Sequence, residues 1–297
     1  MRFLLLFLLS LSVSWTNAQS YLLPFSGFKC NAQGIESDDV EIKLNESTWT
    51  SNVLPQNAEF DIRLNEPKGF VAKDSLFHPG IEVFICDMNQ DTLGYASNIY
   101  GEGFPGYDIW MFKRLNVTLG FGPEVMPGDS LFIKTRFFDQ NGTGSFTVEG
   151  IVQIVDSTTA PDNASMTNYV KSFKGFSAAS TGAAITEMVA TLQDDARKTL
   201  EIQWTLEDVY ALDISMAETN VWLYFSDGSI KKLNRFEQFN YEFSTIQEKT
   251  NKDVLGKISC YLNGVDLASL QFIRARTYSK NKGIIVDGIV DMKKFLH

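Results

Sequence analysis

Apolar and polar residues alternate with a period of two along much of this chain. Val40, Ile42 and Leu44 alternate with Glu41, Lys43 and Asn45. Phe60, Ile62 and Leu64 alternate with Asp61, Arg63 and Asn65, and Leu115, Val117 and Leu119 repeat the rhythm. That period belongs to a strand with one packed and one solvated face. The apolar run Ile81–Cys86 turns through Asp87-Met-Asn-Gln-Asp91 and resumes at Thr92. Leu131, Ile133, Thr135 and Phe137 share one face, and Phe146, Val148, Val152 and Ile154 share another. Asn141-Gly142 stands between these two runs, which is a strong hairpin signal. The spacing through Val155 predicts about seven short strands, as in an immunoglobulin-like sandwich.

The second half has the same texture. Leu200, Ile202, Trp204 and Leu206 alternate with polar neighbours, and Val221, Leu223 and Phe225 lead into a turn at Asp227-Gly228. Strands are expected around Ile258–Leu262, Gln271–Tyr278 and Ile284–Val290. One segment, residues 183–193, has two readings. Ile185, Met188, Val189 and Leu192 fall at helical spacing, whereas Thr186, Met188, Ala190 and Leu192 suit a strand. The turn residues Asp194-Asp195-Ala-Arg favour the strand; a helix would make this half α+β. The polar, proline-bearing run Asp156–Asn163 marks a boundary. The fold class expected is therefore mainly β, with two tandem antiparallel immunoglobulin-like sandwich domains, the second with α+β as its alternative. Residues 19–39 read as a lead-in segment, 40–155 as the first sandwich, 156–165 as the linker and 166–297 as the second β-rich domain.

The first eighteen residues set the expected location. Met1-Arg2 is positive, Phe3–Val13 is apolar but too short to span a bilayer, and Thr16-Asn17-Ala18 places a small residue at a cleavage position. This predicts a signal peptide (1–18) cut near Ala18, and export to the periplasm or cell surface. No later apolar stretch is long enough to cross a membrane. The formal charge of −10, from 26 basic and 36 acidic residues, argues against nucleic acid and anionic membranes as partners.

Three cysteines, Cys30, Cys86 and Cys260, cannot pair completely within one chain. Cys86 and Cys260 lie in apolar strand patterns and read as buried small hydrophobes. A Cys30–Cys86 bridge is the alternative. Their spacing matches no metal cluster.

Catalytic motifs are scarce. The chain has two histidines, His78 in a Phe-His-Pro-Gly turn and the terminal His297. It has no Gly-x-Ser-x-Gly elbow, His-Glu-x-x-His, phosphate loop or dinucleotide fingerprint. A glycoside hydrolase needs only two carboxylates brought together by the fold, so that class stays open. Asp87, Asn89 and Asp91 have the rhythm that opens a calcium loop, but Thr92 and Asn98 occupy the positions of its Gly and Glu. Asx residues also build hairpin turns, and that is the reading adopted; no cofactor is expected.

The stretch Tyr95–Phe112 carries Tyr100, Phe104, Tyr107 and Trp110 among the breakers Gly101, Gly103, Pro105 and Gly106. Aromatic rings on a loop suit a protein or glycan partner, and these four are the candidate binding residues. The competing reading folds them back onto the sandwich. Tyr100 and Tyr107 are expected to be exposed, and Trp110, between Ile109 and Met111, to be buried. A second cluster, Phe236, Phe239, Tyr241 and Phe243, follows Lys231-Lys232 and Arg235 and has the same two readings. The expected function is an exported, non-catalytic binding or structural module of the cell envelope that engages a protein partner through aromatic loops. Carbohydrate binding is its alternative, and a carboxylate glycoside hydrolase the third; the oligomeric state stays open.

Overall fold

A computed structural model describes residues 19–49, 51–157, 168–173, 175–207, 209, 217–245, 253–279 and 284–296. The expected signal peptide, most of the expected linker and His297 lie outside the described residues. The chain is mainly β, 60% strand and 2% helix, in several antiparallel sheets, and among the described residues no sheet closes into a barrel. Among the described residues no helix is long and apolar enough to cross a membrane.

Two sheets share the first core. The larger runs Gln19–Leu22, Lys29–Gln33, Ser145–Val155, Ser130–Asp139, Pro79–Asp87, Thr92–Ala96, and Val53–Pro55 joins Ser145–Val155 in parallel. The smaller runs Arg114–Gly120, Glu59–Asn65, Asp39–Leu44, Ser47–Thr48. Alternate side chains point inward from both, so Ile42, Ile62 and Val117 meet Val83, Ile133 and Phe146 in one cluster. The Asn141-Gly142 hairpin forms where expected, pairing Phe137 with Phe146.

The expected lead-in segment, 19–39, contains regular structure. It supplies two strands of the larger sheet, and Lys29–Gln33 pairs with the strand from Ser145. Only Cys30 and Ala32 point inward between polar neighbours, too small an apolar signal to show as a pattern.

The second core lies between a six-stranded and a four-stranded sheet. The former runs Asn168–Phe173, Phe176–Thr181, Ile284–Asp291, Leu270–Ser279, Glu218–Phe225, Ile230–Lys232. The latter runs Ile185–Leu192, Thr199–Leu206, Val254–Tyr261, Phe239–Thr245. Ile185–Leu192 is a strand, so the helical option for 183–193 falls. One short helix, Met292–Phe295, is capped by the Asp291 side chain, which accepts from the Lys294 N–H at 3.2 Å.

The six-stranded sheet is covered on both faces. Its inner face builds the second core, while its outer face receives the turn at residues 23–28 of the first half. Leu22 packs with Tyr224, Phe272 and Ile289, and Phe25 with Ala179 and Ile285. The Phe25 N–H donates to Asp287 Oδ2 at 2.7 Å. Its carbonyl accepts from Arg274 Nη2 and Arg276 Nη1, each at 2.7 Å. Arg274 also donates from Nη2 to Asp287 Oδ2 at 2.7 Å and from Nε to both carboxylate oxygens at 3.0 Å. Phe25 sits in the left-handed region (φ 66°), which a bulky residue holds only when its surroundings impose it. Gly27 is also left-handed (φ 69°), and a Cβ there would collide with the Arg274 guanidinium.

All three cysteines are unbridged and buried. Cys30 faces the first core, whereas Cys86 pairs with Phe132 on the opposite face of the same sheet, so no bridge can join them. Burial raises the Cys30 thiol and pushes Cys260 from 9.0 up to about 12.

Two outcomes are expected from this packing. Asp287→Ala would leave Arg274 buried without its counter-ion and should lower unfolding free energy by about 3–5 kcal/mol in denaturant melts. At pH 8, Cys30 and Cys260 should resist a thiol reagent until the protein is denatured. Between pH 9 and 12 the unfolded Cys260 loses a proton that the folded one keeps, so stability should fall as pH rises through that window. Denaturant midpoints at pH 9, 10 and 11 test the sign.

Candidate functional site

The aromatic loop is pinned at its base. The Asn98 side chain accepts from the N–H groups of Ile81 and Tyr100, each at 3.2 Å. Gly101, Gly103 and Gly106 all adopt positive φ, which lets the chain double back in few residues. Tyr100 and Phe104 then stack with centroids 4.4 Å apart, and Tyr107 meets Phe104 edge-on at 5.1 Å. The Tyr107 hydroxyl donates to that of Tyr100 at 3.2 Å. Burial raises the Tyr100 hydroxyl above its ordinary range. Both tyrosines are half-buried and pack on the first core, with Phe112 beneath Tyr107 at 5.6 Å.

Expected exposure is therefore inverted. Trp110 is 82% exposed and Met111 78%. The cause is a turn at Asp108: its carboxylate accepts from the Trp110 N–H at 2.8 Å and its carbonyl from the Met111 N–H at 3.0 Å. The turn swings both side chains outward, and Phe112 takes the place in the core.

Asp87–Asp91 forms the tight turn between two strands. Asp87 Oδ1 accepts from the N–H groups of Asn89 and Asp91, each at 2.8 Å. Among the described residues no group of three or more His, Cys, Asp and Glu comes together to hold a metal. His78 meets the Asn141 amide at 3.0 Å.

The structure adds a cleft that no sequence motif marks. About 980 Å³ lies between the outer faces of the two large sheets, a volume suited to a sizeable ligand. One wall carries Phe132, Ile151, Lys29 and Glu149; the other carries Trp222, Tyr224, Asn220, Glu218 and Arg276. Ser26 and Gly27, from the docked turn, also line it. Trp222 stands between its cross-strand neighbours, with Arg274 Cζ 5.3 Å and Lys232 Nζ 5.9 Å from the ring. Burial opposes the Arg274 charge, but Asp287 and Tyr224 outweigh it and hold the guanidinium above its ordinary value. Burial, then the like charge of Arg274, pushes Arg276 down to about 10, still protonated at neutral pH.

Two signals could have revealed this wall. Arg274, Arg276 and Tyr278 recur at every second position of one strand, and Asp287 interrupts the apolar run Ile284–Val290 of its neighbour. No family model matches the chain, and no curated protein matches it.

The second aromatic cluster divides. Phe239 is buried in the second core and Tyr241 and Phe243 pack half-buried against it, whereas Phe236 is 70% exposed.

The loop geometry sorts its residues by substitution. Tyr107→Ala should cost about 1–3 kcal/mol of stability by emptying a half-buried packing site. Trp110→Ala should stay within about 0.5 kcal/mol of the parent. Thermal melts of the two variants compare them directly.

Proposed function

We propose that this chain is an exported, non-catalytic binding module of the cell envelope that engages a protein partner through the tip of the 95–112 loop. Trp110 and Met111 are its contact residues, and Tyr100, Phe104 and Tyr107 form the platform beneath them. The reading includes two tandem immunoglobulin-like sandwich domains. Support for that architecture is the pairing of sheets around two separate cores. The signal-like N-terminus supports export.

The observation that carries the proposal is the exposed indole on a loop whose Tyr100, Phe104 and Tyr107 rings are packed on one another. An exposed Trp beside an exposed Met gives the folded chain nothing in its own core. Burying an indole of roughly 150–250 Å² against a partner is worth on the order of 4–6 kcal/mol. The packed platform lowers the ordering cost of binding, since few side chains remain to be immobilised. Trp is also among the residues that most often dominate interface energetics.

A photo-cross-linking residue placed at Trp110 in the native envelope should yield one dominant protein adduct. Trp110→Ala with Met111→Ala should abolish co-purification of that protein and leave the melting temperature unchanged. Retention of the partner by the double variant, or no protein adduct at all, would overturn the proposal.

A further inference from the structure

Acidic residues outnumber basic ones in this chain, and many of its described cations have an acidic neighbour. Arg63, Arg136, Lys198 and Lys257 each lie within ion-pair reach of a carboxylate. One surface of the second half departs from this. Lys232 and Arg235 line one groove there, and among the described residues no carboxylate comes within ion-pair distance of either.

Arg235 is held in an unusual way. Its guanidinium carbon lies 4.1 Å from the Tyr241 ring centre and 4.6 Å from that of Phe236. Two rings thus clamp the guanidinium, and no acceptor among the described residues fills its N–H fork. A planar fork held in this way matches a carboxylate in two-point contact. Phe236 has φ 70°, and its N–H donates to the Phe239 carbonyl at 2.6 Å. A large aromatic side chain in the left-handed region, turned out to water, costs stability with no return from the chain's own core. Lys231 on the short edge strand is explained by protection against sheet-to-sheet pairing. Arg235 lies beyond that strand and is not.

The cluster borders a groove of about 470 Å³. Lys232, Arg235, Asn220, Asn234 and Tyr241 line it, with Glu218 also on its wall. The lining residues come from three separate segments, Glu218–Asn220, Lys232–Arg235 and the strand carrying Phe239 and Tyr241. Asn220 and Asn234 offer amide donors and acceptors of the kind sugar hydroxyls take, and Phe236 offers an exposed ring.

We propose that this groove binds an acidic polysaccharide, with uronic-acid carboxylates on Arg235 and Lys232 and sugar rings against Phe236. The site lies apart from the Trp110 loop and does not rest on its role.

The test is affinity electrophoresis of the full-length chain through gels containing polygalacturonate, with dextran as the neutral control and poly-L-glutamate as the acidic polypeptide control. The chain should be retarded by polygalacturonate and not by dextran. Arg235→Ala should weaken retardation about tenfold, the loss of one charge-assisted two-point contact. Arg235→Lys should recover only part of it, because an ammonium lacks the fork. Phe236→Ala should weaken it severalfold, and Trp110→Ala should leave it unchanged. Circular dichroism melts of each variant should overlay the parent. No retardation by polygalacturonate, full retardation of Arg235→Ala, or equal retardation by poly-L-glutamate would each overturn the proposal; the last result would assign the groove to an acidic protein segment.

Discussion

The buried pair of Arg274 and Asp287 is the interaction on which the arrangement of this molecule depends. Removing two charges from water is costly, and their attraction offsets that cost only when the remaining donors and acceptors are filled. Here they are filled from far away in sequence. Asp287 takes three contacts from Arg274 and one from the Phe25 N–H, while the Phe25 carbonyl takes Arg274 and Arg276. A single turn of the first half thereby completes a polar network in the middle of the second. Leu22 and Phe25 add apolar contact around it, which keeps water from competing.

This docking decides what else can exist. Because the turn at 23–28 seats on only part of the six-stranded sheet, the outer face beyond it is left to form a wall of the cleft. Trp222, Asn220 and Glu218 stand on that remaining part. The same sheet then has three environments across one face: dry and ion-paired under the turn, half-buried at the cleft, and cationic near its edge. The position of the turn separates the first two, and the lysines of the edge strand make the third.

The aromatic residues show how one composition divides between packing and display. Tyr100, Phe104 and Tyr107 join their rings into a packed platform, while Trp110, three residues on, leaves it through a turn held by Asp108. In the second half, Phe239 enters the core and Tyr241 and Phe243 pack against it, while Phe236 is turned out on a left-handed backbone. In each case a hydrogen-bonded turn, and not the apolarity of the neighbours, assigns the side chain.

Local periodicity and its direct consequences were legible in the amino-acid sequence alone. Alternation at Val40–Leu44, Phe60–Leu64 and Leu200–Leu206 specified strands, and Asn141-Gly142 specified a hairpin, because side-chain period and turn chemistry are properties of adjacent residues. The strand at Ile185–Leu192 was legible for the same reason, once the turn after it was weighed. The strand Lys29–Gln33 was not, since Cys30 and Ala32 are too small to mark a face, and the large buried residues around it, Phe25, Phe28 and Ile35, lie outside the strands without a period. Nor was the exposure of Trp110, which flanking Ile109 and Met111 disguise. Which outer faces become covered was settled at the tertiary level. Asp287 within Ile284–Asp291 is a buried acid because Arg274 and Phe25 meet it there, and those partners come from 13 and 262 residues away. Periodicity tells a strand that it has two faces; it carries no information about a neighbour that only the completed fold brings against the second one.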